Sequence, residues 1–550
     1  MSAPTDQPWW WSAVIYQVYP RSFADGNGDG TGDLQGVISR LDHLVALGVD
    51  ALWLSPFYRS PQADGGYDVA DYYDVDPLFG DLAGIEHLIE AAHRRKLRII
   101  VDLVPNHTSD QHPWFQAALA EAPGGPARER YIIGDGRGPD GARPPNDWHS
   151  VFGGPAWTRL PDGQWYLHLF DASQPDLNWQ HPRVRAEFED ILRYWLDKGV
   201  DGFRVDVAHG LVKADGLPDW NRPHEAIVRA DADGNRPPMW DQDAVHEIYR
   251  TWRAILDGYP RRRVLVAEAM VSPPERLARY IRADQMHQAF NFEYLQTPWR
   301  APDLRSVIDR SLAAAGAVGA PTTWVLSNHD VIRHASRFGY PPERELPFGI
   351  GPGDPQPDRA LGLHRARAAT LLMLALPGAA YLYQGEELGL PEHTTLPDHA
   401  RQDPVRARTG SRQLGRDGCR VPLPWAARSP SFGFGPADGA WLPQPADWAP
   451  YALDQQRGNP DSTYEMYRLA LRLRRRMRLG HGTLRWVEAG PDTVAFRNGQ
   501  LLVVANLGDE PAPLPPGAAI THASSELADG KSVPADTTVW ALLPETDHRQ

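Results

Sequence analysis

Across 550 residues there is a single cysteine, Cys419. That excludes an intramolecular disulfide and any cysteine-built metal framework. Basic residues are short as well: Lys+Arg number 56 against 70 Asp+Glu, a net charge of −14. Such a chain has no electrostatic reason to hold nucleic acid or anionic lipid. No run reaches ~18 uninterrupted apolar residues, so no membrane span is expected. The opening stretch MSAPTDQPWWWSAVIYQVYP has no basic segment leading into an apolar one, and with one thiol the expected compartment is a reducing cytoplasm. No internal repeat is visible. What is abundant is aromatic: 20 Trp and 19 Tyr. Flat amphipathic rings suit sugar faces and core packing alike, so composition alone does not choose between them.

Over the first ~390 residues, short apolar runs alternate with longer helical patterns, the signature of an α/β chain with parallel strands. Eight strands are predicted at 13–19, 51–55, 98–104, 202–207, 264–267, 289–292, 322–326 and 379–383. A helix is predicted through Leu34, Val37, Ile38, Leu41, Leu44 and Val45, ending at Gly48, and another over 183–198 ending at Gly199. Eight strand–helix units fit a (β/α)8 TIM barrel better than an open sheet. The stretch 107–178, rich in Gly, Pro and Trp, is too long for a βα loop and reads as a subdomain inserted after strand 3 over the barrel mouth. Two further Pro/Gly-rich segments, 341–358 and 421–450, read as long mouth loops. Beyond an arginine-rich helix at 465–478 come short alternating strands at 484–488, 493–497, 501–506 and 537–543, a C-terminal antiparallel β-sandwich domain. The expected division is 1–106 and 179–478 for the barrel, 107–178 for the insert and 479–550 for the β domain.

Polar residues at the C-terminal ends of barrel strands line the active site. Here five successive ends carry them: Gln62-Ala-Asp64-Gly-Gly66-Tyr67-Asp68, Asp102-Leu-Val-Pro-Asn106-His107, Gly202-Phe-Arg204-Val-Asp206-Val207, Val264-Leu-Val-Ala-Glu268 and Ser327-Asn328-His329-Asp330. A lone Asp after a strand is usually a helix N-cap, and a lone His a hydrogen-bonded structural side chain. Five together would repel at one mouth. That arrangement is expected where developing positive charge must be stabilised.

These motifs carry a resemblance. DLVPNH, GFRVDV, VAEA and SNHD, in this order at these strand ends, resemble the conserved regions of the α-amylase family, glycoside hydrolase family 13. QPDLN (174–178) and GYD (66–68) resemble two further regions of its α-glucosidase and oligo-1,6-glucosidase branch, and the likeness runs along essentially the whole chain. It implies Asp206 as nucleophile, Glu268 as general acid/base and Asp330 as the carboxylate that binds and distorts the sugar. It implies His107 and His329 on glucose hydroxyls and Tyr67 as an aromatic platform. Asp64 and Arg416, with Arg420 as an alternative, would grip the outer hydroxyls of an exo-acting enzyme, and Asp102 would orient its neighbours. Arg204, two residues before Asp206, points to the same strand face and can keep Asp206 ionised. Retaining hydrolysis then calls for a raised Glu268 and a low Asp206.

The implied activity is a retaining exo-α-glucosidase acting on short α-glucosides, maltose-type first and isomaltose-type second, with transglucosylation competing. In the resembled branch Val207 goes with α-1,6 preference, but the following AHGLVK resembles the bacterial α-1,4-cleaving subgroup. Alternatives are an oligo-1,6-glucosidase, a same-fold isomerase or synthase such as trehalose synthase, and a catalytically dead scaffold. The last is opposed by the presence of all three carboxylates. The expected partner is a small oligosaccharide, with neither nucleic acid nor membrane, and the chain a monomer or homodimer.

Near the start, Asp25, Asn27, Asp29, Thr31 and Asp33 place oxygens at alternate positions, as in an EF-hand loop, but Gly36 stands where that loop needs Glu. A structural calcium or magnesium is expected there, because such a loop recurs in the resembled branch. Trp9–Trp11 reads as packing of the N-terminal arm. Arg468, Arg472, Arg474, Arg475, Arg476 and Arg478 read as a solvated helix face.

Overall fold

The computed structural model describes residues 7–222 and 236–543. Eight parallel strands form one sheet: β1 (Val14–Val18), β2 (Ala51–Leu54), β3 (Arg98–Leu103), β4 (Gly202–Val205), β5 (Val264–Ala267), β6 (Gln288–Ala289), β7 (Thr323–Val325) and β8 (Ala379–Tyr383). Their order is β6-β5-β4-β3-β2-β1-β8-β7. No backbone ladder joins β6 to β7, and at that seam the Thr323 hydroxyl donates to the Ala289 carbonyl. The sixth strand is shorter than 289–292, because the chain turns there and Phe292 opens the short helix Phe292–Gln296.

The period-2 alternation of a strand explains the interior. Ile100 and Asp102 on β3, Gly202, Arg204 and Asp206 on and after β4, and Val264, Val266 and Glu268 on and after β5 share inward parity. The apolar members fill the barrel together with Ile15, Trp53, Phe290, Val325 and Tyr381. The charged members come last on each strand and so emerge at the mouth. Trp10, in the 3-10 turn Trp9–Trp11, plugs the opposite end, and its carbonyl accepts from Gln288 Nε2 (2.6 Å).

Helices cover the sheet: α1 (Leu34–Ser39), α2 (Leu41–Leu47), α3 (Leu82–Arg94), α4 (Pro182–Asp197), α5 (Val245–Asp257), α6 (Ala301–Ala317), α7 (Arg359–Leu374) and α8 (Thr463–Arg476). The expected single helix over 34–45 is two helices. Arg40 at φ −109°, ψ 5° breaks it, while the apolar period continues across the break, which hides it in the sequence. Gly48 ends α2 at φ 100°, where only glycine is unstrained. The arginines of α8 are not all solvated. Arg474 is 3% exposed and donates to the carbonyls of Leu374 and Leu376 (2.7 and 2.8 Å) and of Gly378.

Within 107–178 lie the helix Pro113–Ala120 and a three-stranded sheet of Ile133–Asp135, Gln164–Leu167 and Trp157–Arg159, with Gln164–Leu167 central. Trp148, Trp157, Leu167 and Leu169 pack with Met239 and Trp240 from beyond β4, tying this segment to the barrel. The C-terminal sheet runs β9 (Leu484–Trp486), β10 (Thr493–Asn498), β11 (Leu501–Asn506), β13 (Thr537–Leu542), β12 (Ala519–Ala523), all antiparallel. One face meets α7, where Trp540 Nε1 donates to the Leu371 carbonyl (3.0 Å). The other buries Val504 and Val539 under Leu514 and Val533 beside the ribbon Ala512–Pro513 / Ser532–Val533. Among the described residues no helix is long and apolar enough to cross a membrane.

Candidate active site

Two charge clusters meet at the mouth. In the first, Arg204 holds three carboxylates. Its Nη1 lies 2.7 Å from Asp102 Oδ1 and 2.5 Å from Asp206 Oδ1, and its Nη2 2.9 Å from Glu268 Oε1. The side chain is 2% exposed and sits over the Trp53 ring. Trp53 Nε1 and the Tyr67 hydroxyl both donate to Asp102 Oδ2 at 3.0 Å, so Asp102 orients the arginine and the tyrosine together. Glu268 has a second donor, the Val207 N–H (2.9 Å). Val207 reaches it only by adopting φ 46°, a costly backbone for a β-branched residue and one of the strained positions that collect at functional sites.

One guanidinium cannot neutralise three carboxylates. Burial pushes Asp206 well above the usual carboxylate range, and Glu268 and Asp102 add to the shift, while Arg204 opposes it. Burial likewise raises Asp102 to about 6, against the pull of Arg204. The low Asp206 expected from the sequence is therefore not found. Glu268 lies close enough to Asp206 that its charge and its side-chain contact both push Asp206 up.

In the second cluster Arg416 reaches Asp64 Oδ1 (2.6 Å), Asp330 Oδ1 (3.1 Å) and Asp403 Oδ2 (2.7 Å). Arg420 also reaches Asp330 Oδ1 (3.0 Å), so the two candidate arginines act on one carboxylate. Burial would raise Asp330, but His329, Arg416, Arg420 and Arg204 outweigh it and hold the group well below the carboxylate range. Asp64 is raised by burial in spite of Arg416.

Burial disfavours the charged form of both histidines. Burial lowers His107 to about 4 and His329 further. Gln17 Nε2 donates to His329 Nδ1 (2.7 Å), which puts the ring proton on Nε2. That buried Nε2 has no hydrogen-bond partner among the described residues and lies 3.3 Å from Asp330 Oδ2, a donor in waiting. Asn106 Nδ2 donates to His107 Nδ1 (3.2 Å), and Gln174 Nε2 donates to Asp64 Oδ2 (3.2 Å). The Tyr67 ring stacks on His329 with centroids 5.2 Å apart.

The chain is similar to known proteins. Residues 17–482 match the alpha amylase catalytic domain, and residues 474–540 match a domain of unknown function, DUF3459. A probable alpha-glucosidase of Rhizobium meliloti is 37% identical over 533 residues, covering 92% of this chain and 91% of that one. The chain belongs to the α-amylase family. Its fold is shared by the alpha-glucosyl transfer enzyme XgtA (TM-score 0.85, 36% identity, 98% of this chain and 100% of that one). It is shared also by a trehalulose synthase of Pseudomonas mesoacidophila (TM-score 0.84, 30% identity, 98% and 100%). Within this glycoside hydrolase family the structure brings all nine sequence-predicted catalytic and sugar-binding residues to one mouth.

Four contributors were not foreseen. Asp403 fixes Arg416 through Nε and also accepts its backbone N–H (2.6 Å). In sequence Asp403 precedes Pro404 and reads only as a helix N-cap, a role it also fills for Val405. Gln17 and Phe152, the latter with its ring 4.9 Å from the Arg416 guanidinium carbon, come from distant segments with no local signal. Strain at Val207 has no sequence signature at all.

At the loop 25–33 the donors are hard oxygens, the right chemistry for calcium or magnesium. Their side chains also accept backbone N–H groups within the loop: Asp25 from Asn27, Gly28 and Gly30, Asn27 from Asp29, Asp29 from Thr31, and Asp33 from Gly26 and Gly36. No group of three His, Cys, Asp or Glu among the described residues is arranged to hold a metal. A cation would use the remaining lone pairs, the Asn27 oxygen and the Thr31 carbonyl.

Proposed function

We propose that this protein is a retaining exo-acting α-glucosidase that releases glucose from the non-reducing end of short α-glucosides, maltose-type before isomaltose-type. The observation that carries the reading is the buried cluster of Arg416 with Asp64, Asp330 and Asp403, placed beside the catalytic carboxylates to grip the outer hydroxyls of a terminal sugar. Asp206 attacks the anomeric carbon. As that bond forms, the C1–O bond breaks, and Glu268 gives its proton to the departing oxygen. Water then adds to C1, Glu268 takes its proton back, and the Asp206 ester is released. Asp330, held ionised by its arginines, binds ring hydroxyls with His107 and His329, and Tyr67 supports the ring. An acceptor hydroxyl in place of water gives transglucosylation, and an acceptor that never leaves gives isomerisation. The test compares kcat/KM on maltose, isomaltose, trehalose, sucrose and maltotriose with full product analysis. Free glucose with maltose preferred is the expected result; a rearranged disaccharide from sucrose as main product overturns it.

We place the enzyme in the cytoplasm as a monomer or homodimer, on the single thiol and the net charge of −14. A structural calcium or magnesium in the 25–33 loop goes with this reading, supported by oxygens at alternate positions and by Gly28 and Gly30 at φ 88° and 87°. EDTA is expected to lower the melting temperature, with metal found in the native protein by elemental analysis. An unchanged melting curve and no metal would sink it.

A further inference from the structure

A cavity lies at the opposite end of the barrel from the mouth. It measures about 280 Å³ and sits where β1, β2 and β3 begin, under the C-terminal end of α8 and the turn Leu479–His481. Its charge is unlike the rest of this chain. Arg98, Arg474, Arg475 and Arg478 line it with His481, against one acid, Asp50. Both oxygens of Asp50 are already engaged, one by the Val14 N–H (2.9 Å) and one by Arg475 (2.7 Å).

Arginines at a helix C-terminus have an ordinary explanation, since they answer the negative end of the dipole. It holds for Arg474, which caps three carbonyls, and for Arg475, which bonds the Gly48 carbonyl (2.9 Å) and Asp50. It does not hold for the other two. Arg98 opens β3, and Arg478 stands beyond α8 at φ 54°. Neither makes an ion pair among the described residues. Arg98 lies over the Trp9 ring, 4.6 Å from its centroid, a stacking that fixes the guanidinium plane and leaves its N–H edge available. Arg474 is 97% buried by its 3% exposure, and its Nε finds no acceptor; His481 Nδ1 is likewise buried and unpartnered. Two guanidiniums without an ion-pair partner beside one cavity are complementary to a compact oxyanion.

We propose that this cavity is an anion site that takes a phosphoryl group, as free phosphate or as a monoester, between Arg98 and Arg478. Its walls come from both the barrel and the start of the C-terminal domain, so an occupant ties the two together and raises the melting temperature by binding only the folded chain.

The experiment is calorimetric titration of the full chain with sodium phosphate, against sodium chloride at equal ionic strength. Wild type, Arg98→Gln and Arg478→Gln are compared, with hydrolysis of an aryl α-glucoside measured throughout. Saturable phosphate binding by wild type, at least tenfold weaker in both variants at an unchanged hydrolytic rate, is expected. Absence of saturable binding in wild type, or equal binding by wild type and Arg478→Gln, overturns the proposal. Arg478 is exposed, so its variant folds even if loss of the Arg98–Trp9 stack harms the other. Methyl phosphate distinguishes the sources: binding comparable to phosphate assigns the site to monoesters, and binding of phosphate alone assigns it to the free ion.

Discussion

Asp206 and Glu268 differ less in their own chemistry than in the donors placed around them. Arg204 reaches both, but only Glu268 also receives a backbone N–H, from Val207. Two donors on the ionised form fix a group that must give up and regain a proton without moving. Glu268→Gln keeps the shape and removes that proton. On maltose its rate is expected to fall by about 10²–10⁴-fold, the range for a lost general acid. On aryl glucosides with acidic leaving groups the first step should survive far better, because such a leaving group departs unaided. Asp206→Asn should lose both substrates alike. Steady-state rates on the two substrate classes check this, and an Asp206→Asn protein at wild-type rate ends the assignment. At this scale the sequence was informative where a residue ends a strand, since parity and motif order name it. Asp403, Gln17 and Val207 escaped because their roles arise from tertiary contact and backbone strain, neither of which has a period.

At the scale of elements, the strands were legible because burial on both faces makes them short apolar runs, and the helices because their apolar positions recur. The break at Arg40 was not, because the same apolar stripe serves one helix or two. Nor did any pattern announce how the inserted segment is held. The side chain of Lys213, after β4, is 2% exposed, and its ammonium touches Asp176 Oδ2 (2.7 Å), Asn106 Oδ1 (2.8 Å) and the Gly210 carbonyl (2.5 Å). Asp176 in turn accepts from Asn106 and from the Leu169 N–H (2.9 Å). One buried cation thus binds the end of β3, the end of the insert and the loop after β4. Removing one partner of a buried pair strands the other, so Lys213→Met is expected to cost about 3–5 kcal/mol. Because Asn106 also bonds His107, the KM for maltose should rise. Denaturant melts with parallel kinetics test this; a variant as stable as wild type contradicts it.

Taken whole, the molecule uses its aromatics mainly for packing: Trp10 and Trp53 fill the barrel, and Trp148, Trp157 and Trp240 join the insert to it. It also buries titratable groups, both in the site and away from it, and these shape stability against pH in opposite directions. Burial lowers His107, His112 and His209 to about 4. Their unfolded forms take up protons below ~6.5 while the folded forms do not, so the stability they contribute is full above that pH and lost as pH falls toward 4. Burial raises Glu386 to about 8 and Glu392 to about 7. For these the folded chain keeps a proton that the unfolded chain has lost above ~4.3, so the contribution is full below that pH and lost as pH rises to 7–8. Above pH 6.5 the histidines no longer matter, and Glu386 contributes beside Glu392 and Asp206. Glu386 lies beside Glu387, accepting from the Tyr383 N–H (3.0 Å) and the Tyr467 hydroxyl (3.4 Å), with Arg333 near enough to moderate its rise. Each retained proton slopes stability by about 1.4 kcal/mol per pH unit. Wild type should therefore lose stability steadily from pH 6.5 to 8. Glu386→Gln, which stays neutral with nearly the same shape, should flatten that decline. Denaturant midpoints at half-unit pH intervals decide it, and parallel slopes in the two proteins would show that Glu386 is already ionised in the fold.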